Sequence, residues 1–245
     1  MEYWVQYMRK TRRIKMINKI AKELGIKFND ISLLKTALTH RSYLNEHRQE
    51  KENNERLEFL GDAVLELIVS NHLYKEYPKR AEGELTSFRS AIVRTESLAN
   101  ASRELGYGKY LRMAKGEEES GGGNKDYLLA NTFEAVLGAI YVDQGYKKCE
   151  DLVKRILIKK IPEIVENRSD IDSKTKIQEI AQAEYKVTPT YDVIEENGPD
   201  HNREFLVAVK LDDKIIGKGM GSSKQKAEEE AATKGLEYIE KSLNK

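Results

Sequence analysis

From about Ile17 to Lys160 the apolar residues recur at the three-to-four spacing of helices, interrupted at Gly25, Pro78, Gly83, the GEEESGGGNK stretch and Gly145. This pattern predicts an all-helical domain over residues 17–161, preceded by an extension over 1–16. The stretch PEIVENRSDIDS is polar and charged and reads as a linker over 162–172. Beyond it the period changes. Lys174 to Glu184 reads as a helix, and TYDVIEE, REFLVAVKL and KIIGKGM read as strands separated by turn signals at Asn197-Gly198-Pro199 and Asp212-Asp213. Ser223 to Ile239 is helical again. The order α-β-β-β-α over 173–242 predicts a small α+β domain, an antiparallel sheet with both helices free to pack on one face.

Charge and composition narrow the function classes. The chain has 245 residues and a formal net charge of +1, so bulk charge does not announce a nucleic-acid binder. Residues 1–28 hold eight Lys/Arg against two Glu, whereas 170–245 hold twelve Lys/Arg against sixteen Asp/Glu. RNA binding by the carboxyl-terminal region therefore has to rest on local clusters. The single cysteine, Cys149, excludes an internal disulfide, and His40, His47, His72 and His201 lack zinc-ligand spacing. With no apolar run long enough to span a bilayer and no secretory signal, the chain reads as cytoplasmic.

Two helices carry the candidate chemistry. In NNERLEFLGDAVLELIVSNHLY the apolar face is Leu57, Leu60, Val64, Leu67 and Ile68, and Glu55, Glu58 and Asp62 fall at i, i+3 and i+7. At roughly 100° per residue those carboxylates share an arc of about 60°, placed opposite the apolar centre. Such a stripe is either a solvated face or a site. The second helix, YLLANTFEAVLGAIYV, is apolar almost all round, with Glu134 its one charge before the closing residues and Asn131 on the same face. A buried carboxylate needs a partner, because desolvating the ion costs several kcal/mol. A Lys or Arg would serve, and so would Mg²⁺, which takes oxygen ligands.

The run NNERLEFLGDAVLELIV resembles the signature of the ribonuclease III family, and the resemblance extends over nearly the whole chain from residue 17. THRSY at Thr39–Tyr43, EGELT at Glu82–Thr86 and the acidic motif at Asn131–Glu134 match further family features. The resemblance implies an endonuclease domain followed by a double-stranded RNA-binding domain. It implies metal ligation by Glu58, Asp62, Asn131 and Glu134, with Asp62 and Glu134 catalytic and Glu55 an additional acidic residue. The implied cofactor is Mg²⁺, with Mn²⁺ able to substitute. The implied products carry 5′-phosphate and 3′-hydroxyl ends with short 3′ overhangs. Symmetric homodimers and the processing of rRNA, mRNA and other structured precursors are implied in the same way. In one place the chain departs from the family pattern: Asn131 stands where the family has Asp, which removes one negative charge while keeping a carbonyl oxygen able to ligate a hard cation. A rival reading follows, of a catalytically impaired binder of double-stranded RNA.

The last seventy residues resemble the double-stranded RNA-binding domain on three surfaces. Gln178 and Gln182 lie one turn apart on the first helix, suited by resemblance to a minor groove lined with 2′-hydroxyls. His201 matches a loop position that enters the next minor groove. Ser223, Lys224 and Lys226 stand at a helix N-terminus, where amides and ammonium groups favour phosphate; Gln225 replaces a common second Lys. Lys218, Lys224 and Lys226 would carry most of the salt dependence. This RNA-directed surface disfavours a DNA nuclease. The glycine-rich GEEESGGGNKD segment has no P-loop pattern and reads as a flexible connection, with Lys125 near phosphate by resemblance.

Overall fold

Helical periodicity turns into one continuous core in the first half of the chain. The structure, a computed structural model, describes residues 17–167, 173–199 and 203–243. The basic extension over 1–16 and His201 lie outside the described residues, as does the 168–172 part of the expected linker. The chain divides into two compact units at residue 167.

The first unit runs through α1 (residues 17–24), α2 (Ile31–Ala37), α3 (Tyr43–Glu46), α4 (Glu55–Glu76), α5 (Glu82–Val93) and α6 (Thr95–Glu104). It continues with α7 (Lys115–Glu119), α8 (Asp126–Gln144), α9 (Tyr146–Ile156) and α10 (Ile161–Asn167). The near-uniform apolar character of α8 is explained by its place: α2, α4, α6 and α9 all pack on it. Phe133, Val136, Leu137 and Ile140 are buried there among Leu65, Ile68, Val69, Leu98 and Val153. Each such side chain contributes on the order of 2 kcal/mol by leaving water. The stretch read as the start of the linker is instead helical. Ile161 is buried, and Ile164 and Val165 pack against the same core, so three apolar residues among the charges anchor α10.

The second unit follows the expected order. Helix α11 (Ser173–Ile180) continues into a π-wound turn at Ala181–Tyr185, where the expected helix to Glu184 loses α-geometry before Lys186 turns left-handed at φ 60°. Strands β1 (Thr190–Asn197), β2 (Glu204–Leu211) and β3 (Lys214–Gly221) form an antiparallel sheet in that order. Helix α12 (Lys224–Leu243) covers it. Ile177 from α11, Phe205, Val207, Val209 and Ile216 from the sheet, and Ala227, Ala231 and Ile239 from α12 make a separate small core. Gly217 and Gly219 on β3 permit this: a β-carbon at either position would overlap the α12 backbone at Ala231. Among the described residues no helix is long and apolar enough to cross a membrane.

Candidate active site

The site arises where α4 and α8 cross with their backbones in contact. A β-carbon at Gly61 would overlap the carbonyl oxygen of Glu134, and one at Gly138 would overlap that of Leu57. Only hydrogen at both positions allows this approach. Glu58 and Asp62 flank Gly61 on α4, and Asn131 and Glu134 lie on the turns of α8 before Gly138. The crossing therefore brings together four polar side chains that belong to sequence segments far apart.

Their electrostatics show how close they are. Glu134 is partly buried, and its carboxyl is pushed up to about 8, first by burial and then by the carboxylates of Asp62, Glu58 and Glu66. Glu58 is raised by burial first and by Glu55 next, with Asp62 adding to them, while a hydrogen bond donated by the Asn131 side chain opposes the shift. Every charged group that acts on Glu134 is negative. No Lys, Arg or His among the described residues thus serves as the ion-pair partner of this carboxylate, which is partly rather than fully buried. Nor, among the described residues, do any three His, Cys, Asp or Glu side chains group so that they could hold a metal ion as they stand. The donor set is an open group of carboxylates and one amide. Such a set fits a hard divalent cation that retains several waters better than tetrahedral zinc.

The acidic stripe of α4 does not lie opposite the buried face, as its periodicity suggests, but along the edge of it. Seven residues on from Glu58, Asp62 and Glu66 come Leu65, Val69 and Leu73, all buried. Packing by α8 explains the difference, because it covers α4 on the glycine side, next to the acids. Glu55 sits at the solvent end, 3.8 Å from Arg41 and bonded by Asn53 Nδ2 at 2.9 Å. Glu66 escaped the sequence reading, although it continues the stripe one turn beyond Asp62. Its carboxylate is held by Arg89 Nε of α5 at 2.8 Å.

The expected apolar face of α4 divides in two. Val64 and Ile68 are buried and Leu57 and Leu60 partly so, but Leu67 is 58% exposed. With Phe59 at 82% and Tyr74 at 74%, it forms a second apolar stripe facing outward. Spacing could not separate this stripe from the core, since both obey the same helical period.

The glycine-rich segment is not a loose connection. It contains α7 and a 3₁₀ turn at Gly122–Asn124, with Gly122 buried. Lys125 is engaged within it, 2.7 Å from Glu117 Oε1 and donating to Ser120 Oγ at 3.0 Å, so its charge already has a partner.

In the second unit Gln178 and Gln182 are exposed, on either side of the junction between α11 and the π turn. Ser223 caps α12: its Oγ accepts from the Lys226 amide at 3.3 Å. Lys224 and Lys226 are exposed in the first turn, with Lys224 Nζ 5.7 Å from the centre of the Phe205 ring and Lys226 Nζ 3.4 Å from Ser222 Oγ. Lys218 is exposed on β3, opposite Ala208.

Comparison with known proteins agrees with both units. Residues 30–161 match the family described as Ribonuclease-III-like, and residues 173–239 match the double-stranded RNA binding motif. The chain is 46% identical over 224 residues to Ribonuclease 3 of Streptococcus gordonii, covering 91% of this chain and 96% of that protein. It is 47% identical over 214 residues to Ribonuclease 3 of Streptococcus pneumoniae, covering 87% and 92%. Among solved structures it is similar to the nuclease domain of ribonuclease III from Campylobacter jejuni, with a TM-score of 0.55 and 38% identity over 60% of this chain and 99% of that one. That structure concerns flexibility in a region involved in dimer formation.

Proposed function

The chain belongs to the ribonuclease III family, and on that premise we propose that it is an endoribonuclease that cuts double-stranded RNA at the crossing of α4 and α8, using Mg²⁺ held by Glu58, Asp62, Asn131 and Glu134. One observation carries the site assignment: Glu134 is pressed among carboxylates, with burial and like charge both acting against its ionised form. A cation is the species that such a group lacks. When bound, Mg²⁺ supplies charge neutralisation and a more acidic water at the phosphodiester; Mn²⁺ substitutes for it.

The chain's own residues do the positioning. Asn131 donates to Glu58 and so restrains that carboxylate before any substrate arrives. Asp62 and Glu134 are the catalytic pair, ionised in the loaded enzyme, and Glu55 adds negative charge at the solvent end. Glu66 is tied to Arg89 and stays outside the ligand set. No side chain serves as a covalent nucleophile. The products carry 5′-phosphate and 3′-hydroxyl ends with short 3′ overhangs, and the substrates are rRNA precursors, mRNAs and other structured transcripts in the cytoplasm.

Two copies pair so that each cuts one strand; the exposed stripe of Phe59, Leu67 and Tyr74 supports this reading, since a large apolar patch left in water is unfavourable. Gln178, Gln182, His201, Ser223, Lys224 and Lys226 hold the RNA, with Lys218 adding charge. They read A-form shape rather than sequence.

A second reading, an RNA binder that cuts poorly, is favoured by Asn131 alone. Incubating the purified protein with long duplex RNA in Mg²⁺ and in EDTA, beside Glu134→Gln, separates the two. Short duplexes with 5′-phosphates, formed only with metal and absent with Glu134→Gln, are the expected result. Intact RNA that still shifts in a binding gel would establish the second reading.

A further inference from the structure

Helix α4 begins without a side-chain cap from Asn54, yet its first turn carries Glu55 and Glu58. Beside the local bond from the Glu55 amide to Asn53 Oδ1 at 3.1 Å, that turn is tied by a chain of hydrogen bonds starting on another segment. The Glu58 amide donates to Asn54 O at 2.8 Å, and the Asn54 amide donates to Thr39 O at 2.9 Å. Thr39 in turn is clamped by Arg112. The Arg112 amide donates to Leu38 O at 2.8 Å, the His40 amide donates to Arg112 O at 2.9 Å, and Arg112 Nη1 donates to Thr39 Oγ1 at 2.7 Å. Thr39 and Asn54 are both buried, and the Arg112 side chain is 10% exposed.

The same guanidinium reaches the loop that enters α4. Arg112 Nη2 lies 2.9 Å from Glu50 Oε1, a carboxylate also held by Lys35 at 2.7 Å. Arg112 Cζ stands 4.2 Å from the centre of the Tyr43 ring, which stacks on His47. One planar fork therefore joins segments 35–43, 47–54 and 110–114. The charges acting on Glu58 and Glu134 are all carboxylates, so any influence of Arg112 on them travels through this frame rather than through its own field.

We propose that Arg112 is a positioning residue for RNA cleavage, setting the first turn of α4, and with it Glu58, through Thr39 and Asn54. The inference rests on the reading of Glu58 as a ligand in the cleavage site. Lysine in its place keeps the charge but cannot bridge Thr39 and Glu50 with one rigid plane. Misplacement of a reacting group by about 1 Å can lower the rate on the order of a hundredfold.

The test is steady-state cleavage of a short duplex RNA at saturating Mg²⁺ by Arg112→Lys and Thr39→Val, with thermal melts alongside and Glu134→Gln as the inactive reference. The expected result for both variants is kcat lowered about tenfold or more, KM within about twofold, and a folded protein by melting. Unchanged kcat in the folded variants overturns the proposal, and so does a rise in KM alone, which would make Arg112 a substrate contact. Should Arg112→Lys fail to fold, the kcat of Thr39→Val decides by the same criteria. A Glu134→Gln protein that still cuts would instead remove the reading of the site on which the inference stands, and the inference with it.

Discussion

Both units use glycine to bring backbones into contact, and they put the contact to opposite uses. In the first, the touching of α4 and α8 at Gly61 and Gly138 forces Glu58, Asp62 and Glu134 together, partly out of water. In the second, Gly217 and Gly219 let α12 lie on β3, while Gln178, Gln182, Lys218, Lys224 and Lys226 remain exposed around the outside. A cation site gains from crowding charges that cannot neutralise one another. A surface that follows a regular duplex gains from many independent solvated contacts. Function is thus embedded in the packing of one unit and laid over the packing of the other.

The largest effect that would break this contrast is at the helix crossing. Gly61→Ala should cost about 3 kcal/mol, because a methyl there meets fixed backbone rather than a movable side chain. Gly83→Ala in α5, where a methyl meets nothing within 4 Å, serves as the control; urea melts of equal midpoint for the two variants would remove the claim of forced contact.

Next comes the charge of the site. Asn131→Asp adds a fourth carboxylate facing Glu58 and deletes the amide that restrains it. The Mg²⁺ concentration for half-maximal cleavage should fall about tenfold, roughly 1.4 kcal/mol of added metal affinity. Coincident titration curves for the two proteins would show that the lost charge is immaterial.

The pH dependence of metal-free stability sharpens the same point. Glu134 has its folded pKa raised to about 8 from 4.5. Its contribution is fully present below about 4.5 and is lost as pH rises through 8, because the unfolded chain ionises first. Melting in EDTA should therefore weaken over this window, and Glu134→Gln should flatten the trend; parallel profiles for both proteins would contradict it.

The smallest effect belongs to the second unit. Lys224→Ala should weaken duplex RNA binding by roughly 1 kcal/mol and reduce the salt slope by about one, with stability unchanged. An unaltered slope would remove Lys224 from the phosphate contacts.

Much of this was legible before any coordinates. The strand segments TYDVIEE and KIIGKGM lie within β1 and β3, and REFLVAVKL covers β2 with one residue to spare, because alternation and turn residues are local signals. Glu55, Glu58 and Asp62 were readable as one stripe for the same reason. Pro162–Asn167 reads as a linker because its polar composition hides two anchoring apolar side chains, Ile164 and Val165. The outward stripe of Phe59, Leu67 and Tyr74 was missed because a helix repeats every 3.6 residues whatever covers it.

By itself the sequence determined the long helices, the three strands, where the carboxylates lie along α4, and that Glu134 stands alone in an apolar helix. The tertiary structure decided that Glu134 faces Glu58, Asp62 and Glu66 with no cation acting on it among the described residues, that Asn131 bonds Glu58, and that Arg112 joins Thr39 to Glu50. Local periodicity reports on neighbours within a few turns. These pairings join residues dozens of positions apart, and only the close crossing of two glycine-bearing helices brings them within reach.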